Sequence, residues 1–329
     1  ISKGMICIIS NSYDPYFNLA AEEYLFKNTD EEVFMLWQCH STVVVGKHQN
    51  TLAEINYPYV RQNDIKVARR LSGGGTVFHD SGNVNFTMIK YGEKEKLIDY
   101  ERHVTPIIDL LKKLGINAQP GKKNEILLDG KKISGNAEHI YKSRILHHGT
   151  LLFDTQLDRL SNALQVNPAK YHDKAVQSNR SKVTNILPYL HRKIPVEEFI
   201  TYLFEQYMHH NNNTVRYQFN SQDLEIVNRI AHQKYNTWEW IYGYSPKYSF
   251  ENEIKLDERK AGVFLFVENG LIQSATISGD LFNADEKHLL SNALIQQKHE
   301  EEVIRRILNH ILTNHIHEDK LEMIIEGFF

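Results

Sequence analysis

The chain has 329 residues and a formal net charge of −3. That length allows one large domain or two, and the charge gives no general attraction to nucleic acid. No apolar run approaches the roughly 18 residues of a membrane span, and no signal-peptide core is present, so a cytoplasmic protein with no membrane partner is expected. Only Cys7 and Cys39 occur, in no metal-binding or redox spacing, which fits a reducing compartment. Met5 reads as a native start, which sets residues 1–4 apart.

Along the chain, Asn18–Lys27 predicts a short helix with Asn18 as its N-cap. Val33–Trp37 and Thr42–Val45 are apolar runs of strand length, split by Gln38–Ser41, and predict a hairpin. Strands are expected near 66–69, 76–79 and 84–90. Arg102–Leu114 carries a helical stripe of Val104, Ile107, Ile108, Leu111 and Leu114, stopped by Gly115. Asn124–Ser134 predicts a hairpin turning at Asp129-Gly130, and Ile145–Phe153 another strand. Helices follow over 157–164, 196–209 and 221–235.

The aromatic cluster Trp238, Trp240, Tyr242 and Tyr244 precedes a boundary at Gly243-Tyr244-Ser245-Pro246. Beyond it, strands near 253–256, 262–267 and 271–278, with a turn at Glu268-Asn269-Gly270, lead into helices at 284–295 and 299–313. Some 80 residues of this kind form a small domain. Helices and hairpins alternate without a regular βαβ repeat, so the fold class is α+β: a large domain of mixed or antiparallel sheets over 1–245 and a small α/β domain over 248–329.

The most informative string is Arg69-Arg70-Leu71-Ser72-Gly73-Gly74-Gly75-Thr76-Val77-Phe78-His79-Asp80. Consecutive glycines permit positive φ and let a backbone lie flat against a ligand. Ser72 and the glycine N–H groups would then face that ligand, with Arg69 or Arg70 beside an anion. Taken alone, Ser-Gly-Gly-Gly is more often a plain turn. Lys132 stands two residues after the Asp129-Gly130 turn, leading to Ser134-Gly135-Asn136-Ala137. A lysine there is either an exposed charge or a point charge for phosphate. The pair His147-His148 sits in a strand whose neighbours face opposite sides, so the two are not expected to share an ion.

Taken together, Ser72–Asp80, Asp80–Phe86, Lys132–Ala137 and His147–Phe153 resemble the lipoate–protein ligase A family in order and spacing, over about residues 10–185. The resemblance implies a biotin/lipoate ligase-type fold with a C-terminal accessory domain. It implies ATP-dependent activation of lipoate to lipoyl-AMP with Mg2+, and transfer to a lysine of apo lipoyl domains of 2-oxoacid dehydrogenase complexes and of the glycine-cleavage H protein, by a monomer. By the same resemblance Lys132 is the active-site lysine. Arg70, Ser72, Gly73, Gly74, Gly75 and His79 line the lipoyl-adenylate pocket. Val77 and Phe78 lie against adenine. Asn83 either holds the loop or touches ligand. Gly135 and Ala137 belong to the lysine motif, and His148, Gly149 and Thr150 close the opposite side. Arg180 and Lys182 fold over nucleotide. The family's Gly-Arg-Asn-Asp stretch is here Gly121-Lys122-Lys123-Asn124-Glu125. Asn124 and Glu125 are thus nucleotide-site candidates, with a longer carboxylate arm at Glu125. Related octanoyl transferases use a cysteine nucleophile, which is missing near Lys132 and His148. A transferase taking a preformed acyl donor, and a non-catalytic lipoate or nucleotide sensor, are the alternatives.

Overall fold

The run Val33–Trp37 is apolar on both faces, and the computed structural model buries it in the middle of a sheet. The structure describes residues 4–92, 100–122, 124–178, 181–211, 213–312 and 317–329. The chain divides into two compact units, one of residues 1–47, 65–161 and 178–237, the other of 48–64, 162–177 and 238–329. Its mixed sheets and helices make the fold α+β.

In the first unit, eight strands run in the spatial order Thr214–Arg216, Met5–Ile9, Glu32–Trp37, Asn83–Tyr91, Arg144–Leu152, Lys131–Tyr141, Glu125–Leu128 and Gln119–Pro120. The first three are mutually parallel and the remainder antiparallel. Helices Tyr100–Lys113 and Val196–His210 cover one face. Their Val104, Ile107, Leu111, Phe199, Leu203 and Tyr207 pack with Phe34, Leu36, Phe86 and Met88 of the sheet. Tyr207 stacks on Phe34 at 3.7 Å between centroids. Each such buried side chain contributes roughly 1.5–3 kcal/mol.

The helix near the N-terminus begins earlier than its sequence suggests, at Pro15, because Asp14 caps it by accepting from the Tyr16 amide. Asn18 is instead fully buried and donates to the carbonyls of Ser12 and Gln38. Thr42–Val45 does not pair with Val33–Trp37. It is the centre of a separate three-stranded sheet, parallel to Lys66–Arg69 and antiparallel to Val77–His79. Both runs are apolar throughout, so neither carries an alternation that would fix its neighbour.

In the second unit, Tyr171–Asp173, Tyr248–Leu256, Arg259–Glu268 and Leu271–Gly279 form an antiparallel sheet. Tyr248, Phe250, Ile254 and Leu256 point inward at period two. Helices Ala284–Leu294, Glu301–Leu312 and Glu318–Glu326 complete it. The strand at 171–173 and the last helix lie beyond the sequence expectation. Among the described residues, no helix is long and apolar enough to cross a membrane.

Candidate active site

The glycine loop runs from Lys66–Arg69 to Val77–His79, from one edge of the three-stranded sheet to the other. Its shape is set from inside by Arg70. That guanidinium donates to the carbonyls of Gly73 and Gly75, each at 2.7 Å, of Val44 at 3.1 Å, and to Ser72 Oγ at 3.0 Å. Gly74 takes φ +85°, and a Cβ there would stand 3.1 Å from Arg70 Nη2. Arg69 is fully buried and donates to the carbonyls of Gly46 and Lys47. The structure thus places both arginines inside the scaffold, with four of Arg70's hydrogen bonds directed at the loop and its neighbouring strand.

Ser72 is fully buried, and its Oγ lies 2.6 Å from His148 Nε2. The other ring nitrogen of His148 lies 3.0 and 3.1 Å from the two carboxylate oxygens of Glu22. Glu22 also accepts from Thr87 Oγ1, which in turn accepts from Trp37 Nε1 at 3.0 Å. A carboxylate at Nδ1 puts the proton on that nitrogen, leaving Nε2 to accept from Ser72. This chain of polar groups lies on the sheet face opposite the main core. Glu22 escaped the sequence reading. Its one signal was a pair of glutamates, Glu22-Glu23, on an otherwise apolar helix. Glu23 is also buried, where it accepts from Lys27, Lys234 and Tyr235.

His79 is buried against Trp37, edge to face at 5.7 Å. Neither of its ring nitrogens has a hydrogen-bond partner among the described residues, and the same holds for Asn83 Oδ1 and Asn85 Nδ2. Asn83 and Asn85 meet each other through a 2.9 Å bond. Burial, with Arg70 and His148 nearby, drives the His79 pKa down to about 3. Buried polar atoms without partners are costly, and a cluster of them is where a ligand's polar groups are received. Val77 is half-buried, whereas Phe78 is buried in the core. Of these two, only Val77 retains surface for a ligand.

Lys132 follows the Asp129-Gly130 turn, where both residues take positive φ, +48° and +72°. The hairpin register shifts between Ile126 and Leu127, so that Leu127 faces Lys132. The Lys132 backbone pairs on its far side with a loop, through the Lys182 carbonyl at 2.8 Å and the Thr184 amide at 3.0 Å. That loop also reaches the glycine loop, where Ser178 Oγ accepts from the Thr76 amide at 2.8 Å. Arg180 lies outside the described residues. The Lys132 ammonium lies against Gly135, where a Cβ would come within 2.9 Å of it. Thr150 Oγ1 holds the Gly135 amide at 3.1 Å. Ala137 stands opposite His148 in the strand register and beneath Gly74. Gly149 is a packing glycine, since a Cβ there would stand 2.1 Å from Asn136 Oδ1.

Burial lowers the Lys132 pKa; Glu125 opposes that shift and Arg70 adds to it. A desolvated cation is what an incoming anion neutralises. Glu125 is half-buried and accepts from Ser181 Oγ at 3.4 Å. Asn124 is exposed at φ +51°, and its carbonyl accepts from the Asn136 amide at 2.9 Å. The two cysteines are buried, and burial pushes Cys7 up to about 12 and Cys39 well above the ordinary thiol range. Neither is a ready thiolate.

His147 and His148 face opposite sides of their strand. His147 points toward helix Tyr100–Lys113, where it and His103 both meet Glu138.

Comparison with known proteins gives the family. Residues 14–208 match the model of the lipoyl protein ligase A/B catalytic domain, and 245–327 that of the bacterial lipoate protein ligase C-terminus. Lipoate-protein ligase LplJ of Bacillus subtilis is 36% identical over 323 residues, covering 95% of this chain and 98% of that protein. Lipoate–protein ligase 1 of Staphylococcus aureus is 37% identical over 302 residues, covering 91% and 92%. Among solved structures, LipL1 of P. falciparum in complex with lipoate superposes at TM-score 0.60 with 22% identity over 98% of both chains, a likeness of fold. The chain belongs to the lipoate–protein ligase family and is an enzyme of that class.

Proposed function

We propose that this chain activates lipoate with ATP and transfers the lipoyl group to a lysine of an acceptor protein. The observation that carries the reading is the desolvated Lys132 ammonium against Gly135, held by the hairpin and by the loop that also reaches the glycine loop. In the first step a lipoate carboxylate oxygen attacks the α-phosphorus of ATP, and the bond to the bridging oxygen of pyrophosphate breaks. Negative charge gathers on the α-phosphate and the departing group. Lys132 meets that charge, as a point charge in a site of low dielectric. In the second step the acceptor's neutral ε-amine attacks the acyl carbonyl, the anhydride C–O bond breaks, and AMP leaves while the amine loses a proton. No enzyme nucleophile is required, which agrees with the burial of both cysteines.

Other residues bind and orient. Gly73, Gly74 and Gly75 present backbone to the adenylate, with Arg70 fixing their conformation. Ser72 and His148 set the polar wall, and His79 and Asn83 offer polar atoms to ligand. Val77 lies against the base, and Lys182 closes over the nucleotide. Magnesium enters with ATP. It would suit a single carboxylate plus phosphate oxygens, and Glu125, whose charge acts on Lys132, is the side chain that would offer that carboxylate. The first unit carries this chemistry, and residues 248–329 serve as an accessory domain.

The acceptors proposed are lipoyl domains of 2-oxoacid dehydrogenase complexes and the glycine-cleavage H protein. A solved relative from Thermoplasma acidophilum, a bipartite lipoate protein ligase, was studied with its E2 lipoyl domain. We further propose a cytoplasmic monomer. The test is direct: purified protein, ATP, Mg2+, lipoate and an apo lipoyl domain, with the acceptor mass followed in time. A lipoyl mass increment that requires ATP supports the reading. Transfer from a preformed acyl donor without ATP would replace it.

A further inference from the structure

On the sheet face away from the Ser72–His148 chain, three ligand-type side chains converge from three elements. His103 comes from helix Tyr100–Lys113, Glu138 from strand Lys131–Tyr141 and His147 from strand Arg144–Leu152. Both histidines are fully buried, and the Glu138 side chain is 12% exposed. His103 Nδ1 and His147 Nδ1 lie 3.0 and 2.9 Å from the same oxygen, Glu138 Oε1. One ligand atom from each residue lies within 4.8 Å of the others.

Asn136 decides which nitrogen of His147 carries the proton. Its Nδ2 faces Ser134 Oγ at 3.0 Å, Tyr100 Oη at 3.1 Å and the Asn124 carbonyl at 3.5 Å. A carbonyl can only accept, so the amide nitrogen is on that side. Asn136 Oδ1 then faces His147 Nε2 at 3.2 Å and requires a proton there. In the neutral ring this leaves a lone pair on Nδ1, aimed at a carboxylate oxygen 2.9 Å away. Two acceptors at that distance repel unless a second ring proton or a metal cation stands between them, and three converging ligand atoms suit the metal.

We propose that His103 Nδ1, His147 Nδ1 and Glu138 Oε1 bind a first-row transition dication of the Zn2+ type, which ties the helix to the two strands behind the Lys132 hairpin. Two imidazoles and a carboxylate suit zinc and its neighbours and not magnesium, so this site is separate from the magnesium of ATP. Asn136 is the outer partner that orients His147, as carbonyl and carboxylate groups do behind ligating imidazoles. Tetrahedral zinc at about 2.0–2.1 Å places its ligand atoms roughly 3.3 Å apart. The two Nδ1–Oε1 pairs are already close to that. His103 and His147 stack at 4.8 Å with 13° between ring planes, so the two rings turn toward the ion as it enters. A water completes the coordination.

The test uses full-length protein purified without metal-affinity resin or chelator. Zinc is measured by mass spectrometry. Zn2+ and Co2+ are then titrated into chelator-treated protein, with the visible absorption of bound Co2+ as readout. One equivalent is expected, retained against millimolar Mg2+. Binding should weaken at least tenfold in Glu138→Gln and His103→Phe, which keep volume, and in Asn136→Ala, which leaves all three ligands. Circular dichroism checks the fold of each variant. X-ray absorption of the Co2+ form should show two imidazoles, which keeps the test decisive if a variant fails to fold. No stoichiometric binding by folded wild type at 100 µM Zn2+, or equal affinity in folded Glu138→Gln, would overturn the site and leave a proton in the place of the ion. None of these readouts involves lipoyl transfer, so failure here leaves the ligase reading untouched.

Discussion

Two buried histidines show how differently the two compact units are built. In the second unit, His299 is held at both ring nitrogens, by the Tyr248 hydroxyl at 2.7 Å and the Phe328 carbonyl at 2.6 Å. In the first, His79 has neither nitrogen engaged among the described residues. Burial lowers both, to about 4 and about 3 respectively. Their shifts are alike, but their wiring is not. One ring is a finished part of a core, and the other is the ring proposed to meet ligand. The glycines repeat the contrast. Gly270, at φ +74°, is packed against Trp238, which a Cβ would approach to 2.4 Å. Gly74 is shaped by Arg70 and lies over Ala137, and unlike the buried Gly270 it is exposed.

The sharpest way to separate the units is Lys132→Ala. Adenylate formation should fall by 10² or more, the loss of roughly 3 kcal/mol of transition-state stabilisation. Removing a desolvated charge should leave the melting temperature unchanged or raised, since burial holds the lysine's pKa down. A pyrophosphate-release assay beside thermal denaturation reads both. Normal adenylation by the folded variant would break the assignment.

The glycine pair comes next. Gly74→Val should abolish measurable lipoyl-AMP binding by calorimetry, with destabilisation of about 1–2 kcal/mol from positive φ. Gly270→Ala should do the reverse, costing stability through its clash with Trp238 and Gly243 while leaving kcat/KM unchanged in the surviving folded protein. Equal losses of binding in both would mean that the glycine loop is only a turn.

A smaller effect follows from the histidines. A neutral buried histidine with a depressed pKa costs nothing above about pH 6.5. As pH falls below that value the unfolded state takes up the proton first, so stability drops by up to about 1.4 kcal/mol per pH unit until the folded pKa is reached. For His79 that window runs from 6.5 down to about 3. His79→Gln and His299→Gln should each flatten the acid limb of a urea-denaturation series. Only His79→Gln should also change affinity for lipoyl-AMP.

What was legible in the sequence divides along the same line. The Asp129-Gly130 and Asn269-Gly270 turns could be read directly, because positive φ is a local demand that few residues meet. So could the helix of Val104, Ile107, Ile108 and Leu111, whose stripe has a helical period. Glu22 could not, because its partner His148 lies 126 positions away and no local pattern marks a buried carboxylate. The same holds for His103 and Glu138. The apparent hairpin of Val33–Trp37 and Thr42–Val45 failed because two apolar runs close in sequence carry no information on register. The bonds by which Arg70 shapes the loop are not legible either, because the carbonyls it satisfies belong to the loop's folded shape.

The smallest expected effect is the most specific for mechanism. Cys7 lies in strand Met5–Ile9 and Cys39 follows strand Glu32–Trp37, and both are fully buried. Burial raises both thiols, which suppresses the thiolate that attacks an acyl group. A transferase passing its acyl group through a cysteine requires the opposite. Cys7→Ala/Cys39→Ala should therefore lower stability by about 1–3 kcal/mol through lost packing. The rate of acceptor lipoylation per folded molecule should stay within about twofold, since an adenylate route gives neither sulfur a role. Intact-mass analysis of wild type during turnover supplies the second reading. Lipoyl-AMP should accumulate non-covalently when acceptor is withheld, with no acyl increment on the enzyme. An acyl adduct at either cysteine, or loss of transfer in a variant that still melts cooperatively, would move the chemistry from the polar pocket of the first unit to a thioester.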